Sequence, residues 1–189
     1  MIDMDYVHKN FFCPLQKFIL IAFFFFPHLS FAYYGIQFSY ALISKEPSSL
    51  RGYQFMIHYT PKRLTWKQLT IYFDGGISHF RETKTPYHTT LNLYSIAPVI
   101  RYTFKKHAVF KPYLEASIGL AYLNHTYLEH RNLGIHFAFQ DRLGIGTFIG
   151  HQQQLSVGIH AVHYSNAHLS SHNSGITIPL LLDVGYRFL

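Results

Sequence analysis

Beyond residue 32 the chain falls into stretches in which apolar side chains alternate with polar or small ones, and no apolar run there approaches the roughly 20 residues of a spanning helix. In 155–166 one parity reads Leu155, Val157, Ile159 and Ala161, and the other Ser156, Gly158, His160 and Tyr164. In 110–123 Leu114, Ala116, Ile118, Leu120 and Tyr122 alternate with Tyr113, Glu115, Ser117 and Gly119. In the last stretch Leu180, Leu182, Val184, Tyr186 and Phe188 share one face, and Asp183, Gly185 and Arg187 the other. A period of two is the mark of a strand with two chemically distinct faces. Eight strands are predicted on this basis, over 33–43, 51–60, 65–80, 90–104, 110–123, 134–149, 155–166 and 175–188. Short connections (60–63, 105–107, 151–154) alternate with longer ones (45–50, 82–89, 124–133, 167–174). An even number of strands with short turns at one end and long loops at the other predicts an all-β, eight-stranded antiparallel up-and-down transmembrane β-barrel.

The sense of the alternation matters as much as its period. A membrane barrel is apolar outside, whereas a soluble lipocalin-like barrel is apolar inside, and periodicity alone does not separate them. Strand length, the aromatic content of 18% and the C-terminal Tyr186-x-Phe188 favour the membrane form. Charged residues make up only 13% of the chain, which excludes a disordered protein. Cys13 is the single cysteine, which excludes a disulfide scaffold.

The first 32 residues read differently. Lys9 and Lys17 precede an apolar run, Phe18 to Phe26, which Pro27 ends; Ser30-Phe31-Ala32 then offers small residues at a cleavage site. This is the pattern of a secretory signal over 1–32, cut after Ala32, with the barrel over 33–189. Two basic and two acidic residues leave with it, so the net charge of +7 stays with the exported part. A basic exported chain is suited to anionic lipid or lipopolysaccharide phosphates, and a nucleic-acid partner is not expected there. Lys45, Arg51, Arg81 and Lys84 fall near the exterior end and are candidates to meet such phosphates.

If the N-terminus enters from the periplasm, the seventh strand ends at the exterior side with His163-Tyr164-Ser165-Asn166. His163 and Ser165 share the parity of Leu155, Val157, Ile159 and Ala161, so a lipid-facing stripe finishes in an imidazole and a hydroxyl. Residues two apart on one strand face are separated by about 6.6–6.8 Å at Cα, which lets the ring reach the hydroxyl. A serine hydroxyl needs a base to act as a nucleophile, and histidine serves as one near neutral pH. Asn166 could donate to a developing oxyanion through its amide or its backbone N–H. Polar groups on a lipid-facing stripe cost free energy and call for a functional reason. The bland reading is an interfacial His–Ser pair solvated by headgroups.

His163-Tyr164-Ser165-Asn166-Ala167 with Asn173-x-Gly175-Ile176 resembles the signature of the lipid A 3-O-deacylase (PagL) family of outer-membrane esterases. The stretch Pro112 to Tyr122 and that from Phe137-x-Phe139 to Gly144-x-Gly146 are similar to it as well, and the resemblance covers most of 65–189. It implies an enzyme of the outer membrane that removes the ester-linked 3-hydroxyacyl chain at position 3 of lipid A, without a metal or other cofactor. By the same resemblance Ser165 is the nucleophile, His163 the base and Asn166 the oxyanion-hole residue. The family's acidic residue falls at Thr177, which carries no charge. That departure leaves a second reading, a non-catalytic barrel of the same family that binds lipopolysaccharide or stabilises the membrane.

A replacement acid can be sought from register. If the turn at 151–154 is centred on Gln152, Asp141 lies opposite His163 and shares the apolar parity of Phe137, Phe139, Leu143 and Ile145. Opposed side chains have Cβ atoms about 4.5–5.5 Å apart, so Asp141 is the expected substitute. His160, His168 and His172 have no metal-ligand spacing, and no metal site is expected. Glu115 is expected to pair with Arg101 or Arg142 inside the barrel.

Overall fold

The computed structural model describes residues 32–84, 89–104, 109–150 and 152–188. The expected export signal lies outside these residues except for Ala32, which opens the first strand. Eight long strands follow: β1 (Ala32–Ile43), β2 (Leu50–Pro61), β3 (Leu69–Glu82), β4 (Thr90–Thr103), β5 (Phe110–Leu123), β6 (Phe137–Ile149), β7 (Leu155–Ser165) and β8 (Ile176–Phe188). Neighbours in sequence pair with one another, and β1 also pairs with β8 from Tyr34↔Phe188 to Ile43↔Leu180. The sheet is therefore a closed antiparallel barrel. Closure satisfies the backbone without a free edge, as a lipid environment requires.

Exposure decides the sense of the alternation. Ile118 is 69% and Leu143 66% exposed, while their strand neighbours Ser117 and Arg142 are buried. The apolar face looks outward, as in a membrane barrel and opposite to a lipocalin. Inside, side chains fill the cylinder. Arg101 lies 2.7 Å from Glu115, and the Tyr72 hydroxyl donates to the same carboxylate at 2.9 Å. Arg142, the other expected partner, pairs instead with Asp74 of β3. Nearer the exterior end the Tyr164 hydroxyl accepts from Gln54 and Gln140, and His160 Nδ1 meets Asp183 at 2.8 Å. Leu50, Phe80, Leu91, Ile176 and Ile178 belong to an apolar cluster above them. Of the pair Gly75-Gly76, Gly76 is the one that crowding demands: a Cβ there would lie 2.0 Å from the Phe55 carbonyl oxygen.

Two strand starts lie three or more residues from the sequence expectation. The third strand was expected from residue 65, but Lys62–Leu64 form a 3₁₀ turn and Thr65–Trp66 fold back on Leu69 and Thr70. Lys67 takes φ 49° in that reversal, so the uninterrupted strand begins at Leu69, and Trp66 sits on the connection. The sixth begins at Phe137 rather than 134, because Tyr127–Leu128 and Arg131–Asn132 pair as a small hairpin within the loop before it.

A register shift in β8 bears on everything that follows. His160 pairs with Leu181, yet Val162 pairs with Ile178 and His163 with Thr177. β8 thus carries an extra residue around Pro179, where a missing N–H is tolerated. Strict alternation would put Thr177 on the lumenal side with Asp183 and Arg187. After the bulge it is Ile176 and Ile178 that are buried, and Thr177 shares the outer face with His163.

Asp74→Ala would strand the buried Arg142 guanidinium. We expect the folded barrel to lose about 3–5 kcal/mol, read as a lower urea midpoint for the folded band on unboiled gels. Adding Arg142→Met should recover most of that loss.

Candidate active site

His163 and Ser165 close β7 on its outer face, with Val162 and Tyr164 buried between and beside them. The register is the one expected from centring on Gln152: Leu155 pairs with Ile149, and His163 stands opposite Asp141. On its other side His163 stands opposite Thr177. The ring turns to the latter, and Nδ1 lies 2.9 Å from Thr177 Oγ1. Asp141 is exposed on the outer face, and among the described residues its carboxylate makes no hydrogen bond to His163.

Thr177 has a second partner. Its hydroxyl donates to Glu46 Oε2 at 3.2 Å. Glu46 lies in the loop between β1 and β2, and a backbone bridge holds it against β8: Thr177 N–H donates to the Glu46 carbonyl at 3.0 Å, and Glu46 N–H to the Thr177 carbonyl at 3.2 Å. Arg131, from the loop between β5 and β6, brings Nη2 to 4.0 Å from the same carboxylate oxygen. Arg131 is itself tied to the carbonyls of Ser174 and Gly175. Three exterior loops therefore converge on the far side of Thr177 from His163. Glu46 was not among the residues singled out in the sequence. It is 131 positions from Thr177, and only the pairing of the first strand with the last brings them together.

Gly175 makes room for the imidazole. It takes φ 59°, and a Cβ there would come within 3.2 Å of His163 Cε1. Asn166, expected at the oxyanion hole, is buried, and its amide hydrogens are already engaged: Nδ2 donates to the Leu133 and His172 carbonyls at 2.9 and 2.8 Å. Its backbone N–H donates to Asn173 Oδ1 at 2.9 Å. In this arrangement Asn166 is a clamp that joins two exterior loops to the end of β7. Directly after it Ala167 and His168 take φ 51° and 62°, a left-handed pair in which backbone strain is stored. The Ser165 hydroxyl makes no hydrogen bond among the described residues. No group of three or more His, Cys, Asp or Glu side chains suited to a metal occurs among the described residues.

Below this pair an open groove of about 720 Å³ runs over the outer face of β4 to β8. Its wall includes Pro98, Ile100, Ala116, Ile118, Leu143, Ala161 and Pro179, with His163, Thr177 and Asp141 at its polar end.

The family profile described as Lipid A 3-O-deacylase (PagL) matches residues 32–187. The chain belongs to that family. A curated relative, Lipid A deacylase PagL of Pseudomonas aeruginosa, is 38% identical over 111 residues, which is 58% of this chain and 60% of the relative. The match thus spans less than two thirds of that relative's length. Among solved structures, the outer membrane enzyme PagL superposes with a TM-score of 0.62 at 27% identity, over 82% of this chain and 99% of that one. Neisserial surface protein A, with a TM-score of 0.55 at 18% identity over 82% of this chain and 95% of its own, shares the barrel fold.

The Asn166 clamp predicts a protease phenotype. Asn166→Ala removes both bonds to the loop carbonyls, so trypsin should cut after Arg131 roughly tenfold faster in the detergent-folded protein, while the strands stay resistant.

Proposed function

We propose that the chain is an outer-membrane hydrolase that removes the ester-linked 3-hydroxyacyl chain from position 3 of lipid A, with Ser165 as nucleophile and His163 as base. The observation that carries this reading is the placement of an imidazole and a hydroxyl on the outer face at the end of one strand, the imidazole at the polar end of an apolar groove. A pair so placed has no use for a water-soluble substrate. A lipid whose ester lies at headgroup depth can set its acyl chain along the groove and its carbonyl beside Ser165.

The chemistry then follows in two halves. Ser165 Oγ attacks the ester carbonyl carbon as His163 Nε2 takes its proton. The tetrahedral oxyanion needs donors that are not already committed. The side-chain amide of Asn166 is held by loop carbonyls, so we assign the task to the strained backbone just past it, where the N–H groups of Ala167 and His168 follow Ser165. Collapse expels the sugar hydroxyl, which receives the proton from His163. Water, deprotonated by the same imidazole, releases the fatty acid and restores Ser165. The reaction asks for no metal or cofactor.

The exterior end supplies cations for a phosphorylated headgroup. Arg51 and Arg81 stand opposite one another on β2 and β3, and both are exposed, as are Lys45 and Lys84. His168 is also exposed on the loop that follows Asn166 and could contact the same phosphates. Residues 1–32 serve as the export signal that delivers the barrel to the outer membrane.

Mass spectrometry of lipid A from cells producing the protein tests the reading. We expect loss of one hydroxyacyl chain, abolished by Ser165→Ala and reduced at least about 10³-fold in initial rate by His163→Ala. An unchanged spectrum with the wild-type protein folded in the outer membrane supports the non-catalytic reading instead. Ala161→Phe should obstruct the groove, so that long-chain esters lose turnover while a short-chain ester is still cleaved.

A further inference from the structure

We infer that Glu46 is the positioning acid of this site and acts on His163 through the Thr177 hydroxyl; the inference rests on the Ser165–His163 reading above. It follows from counting hydrogens. A threonine hydroxyl has one hydrogen, and a carboxylate can only accept. The Thr177 hydrogen is directed at Glu46 Oε2 at 3.2 Å, so toward His163 Nδ1, at 2.9 Å, the oxygen presents a lone pair. Nδ1 must then carry the ring hydrogen, which leaves Nε2 unprotonated. That is the tautomer a base for Ser165 requires.

Removing the carboxylate reverses the preference. In E46Q the amide turns its oxygen to Arg131 and its NH2 to Thr177 Oγ1, so the Thr177 hydrogen is free to swing to Nδ1, which favours the tautomer with its hydrogen on Nε2. Such a ring cannot accept from Ser165. Glu46 also faces the charge that develops. When Nε2 takes the Ser165 proton, the imidazolium donates through Nδ1 to an oxygen polarised by the carboxylate behind it. No proton passes to Thr177 or Glu46; the one on Nε2 leaves with the alcohol.

The arrangement is built rather than incidental. The two-way backbone bridge to Thr177 fixes where the Glu46 side chain starts, and Arg131 at 4.0 Å holds its far end. The β8 bulge turns Thr177 to the face of His163. Asp141, the rival carboxylate, stands opposite His163 on β6, and Nδ1 is left to Thr177.

The test uses the full barrel folded in detergent with lipid A, comparing wild type with Ser165→Ala, E46Q, T177V, the double variant E46Q/T177V and E46Q/T177E. The folded band on unboiled gels checks each variant, and E46A, which also lacks the carboxylate, stands in should E46Q not fold. We expect E46Q to lower kcat about tenfold to hundredfold while KM stays within about twofold. T177V should do the same, and the double variant should be no worse than either single one, because both break one chain of contacts. E46Q/T177E places a carboxylate directly beside Nδ1 and should recover most of the lost kcat. Phosphonylation of Ser165 by a fluorophosphonate should slow in parallel in E46Q and T177V, and it reports on the base whatever the natural ester is. Wild-type kcat and labelling in E46Q, losses that multiply in the double variant, or no recovery in E46Q/T177E would each overturn the inference. A wild type that labels at Ser165, slows with E46Q, yet leaves lipid A intact overturns the substrate reading alone.

Discussion

Every N–H and C=O within lipid has to be paired by a neighbouring strand, and from that requirement the rest of this molecule follows. The sheet closes by pairing β1 with β8. Closure leaves each strand one outer and one inner face, and an apolar exterior pushes the polar side chains inward, where Arg101–Glu115 and Arg142–Asp74 neutralise one another. An outward-facing polar residue then stands out. His163 and Thr177 are such residues, on adjacent strands, and each finds in the other the hydrogen-bond partner that lipid does not provide.

The same closure shapes how the site is supported. β7 ends in His163 and Ser165, but what holds them comes from elsewhere: Gly175 opens space for the ring, Asn166 ties in the loops at 133 and 172, and Glu46 reaches Thr177 from the first loop of the chain. Loops carried on a rigid barrel can bring distant residues together without disturbing the strands. The groove beneath is lined by outward residues of several strands, so a chain-binding surface and a reactive head arise from one continuous face.

Much of this was legible in the chain itself. Period-two alternation gave strands whose bounds mostly fall within a residue or two of those observed, and a turn centred on Gln152 placed Asp141 opposite His163. The two boundary errors have local causes. Thr65–Trp66 alternate like the strand they precede, yet Lys67 reverses the chain; at 134 the loop hairpin delays entry into β6. Interior pairing was half legible: Glu115 had two candidate arginines, and the choice went to the one whose geometry also admits Tyr72. The engagement of the Asn166 amide was not legible, since its acceptors are loop carbonyls up to 33 residues away.

The alternating pattern and the connection lengths by themselves determined eight strands of an up-and-down barrel with His163 and Ser165 together on the apolar face, because a strand assigns its side chains to faces by parity alone; that this face looks outward was decided by the folded structure. The partner of His163 was decided only by the tertiary structure. One additional residue near Pro179 inverts the parity of β8 above it, and strand closure sets Glu46 behind Thr177. Pro179 marks where a bulge is tolerated but does not fix one, since a bulge is a balance of backbone pairing between two strands, and closure, which joins the first strand to the last, leaves no local trace.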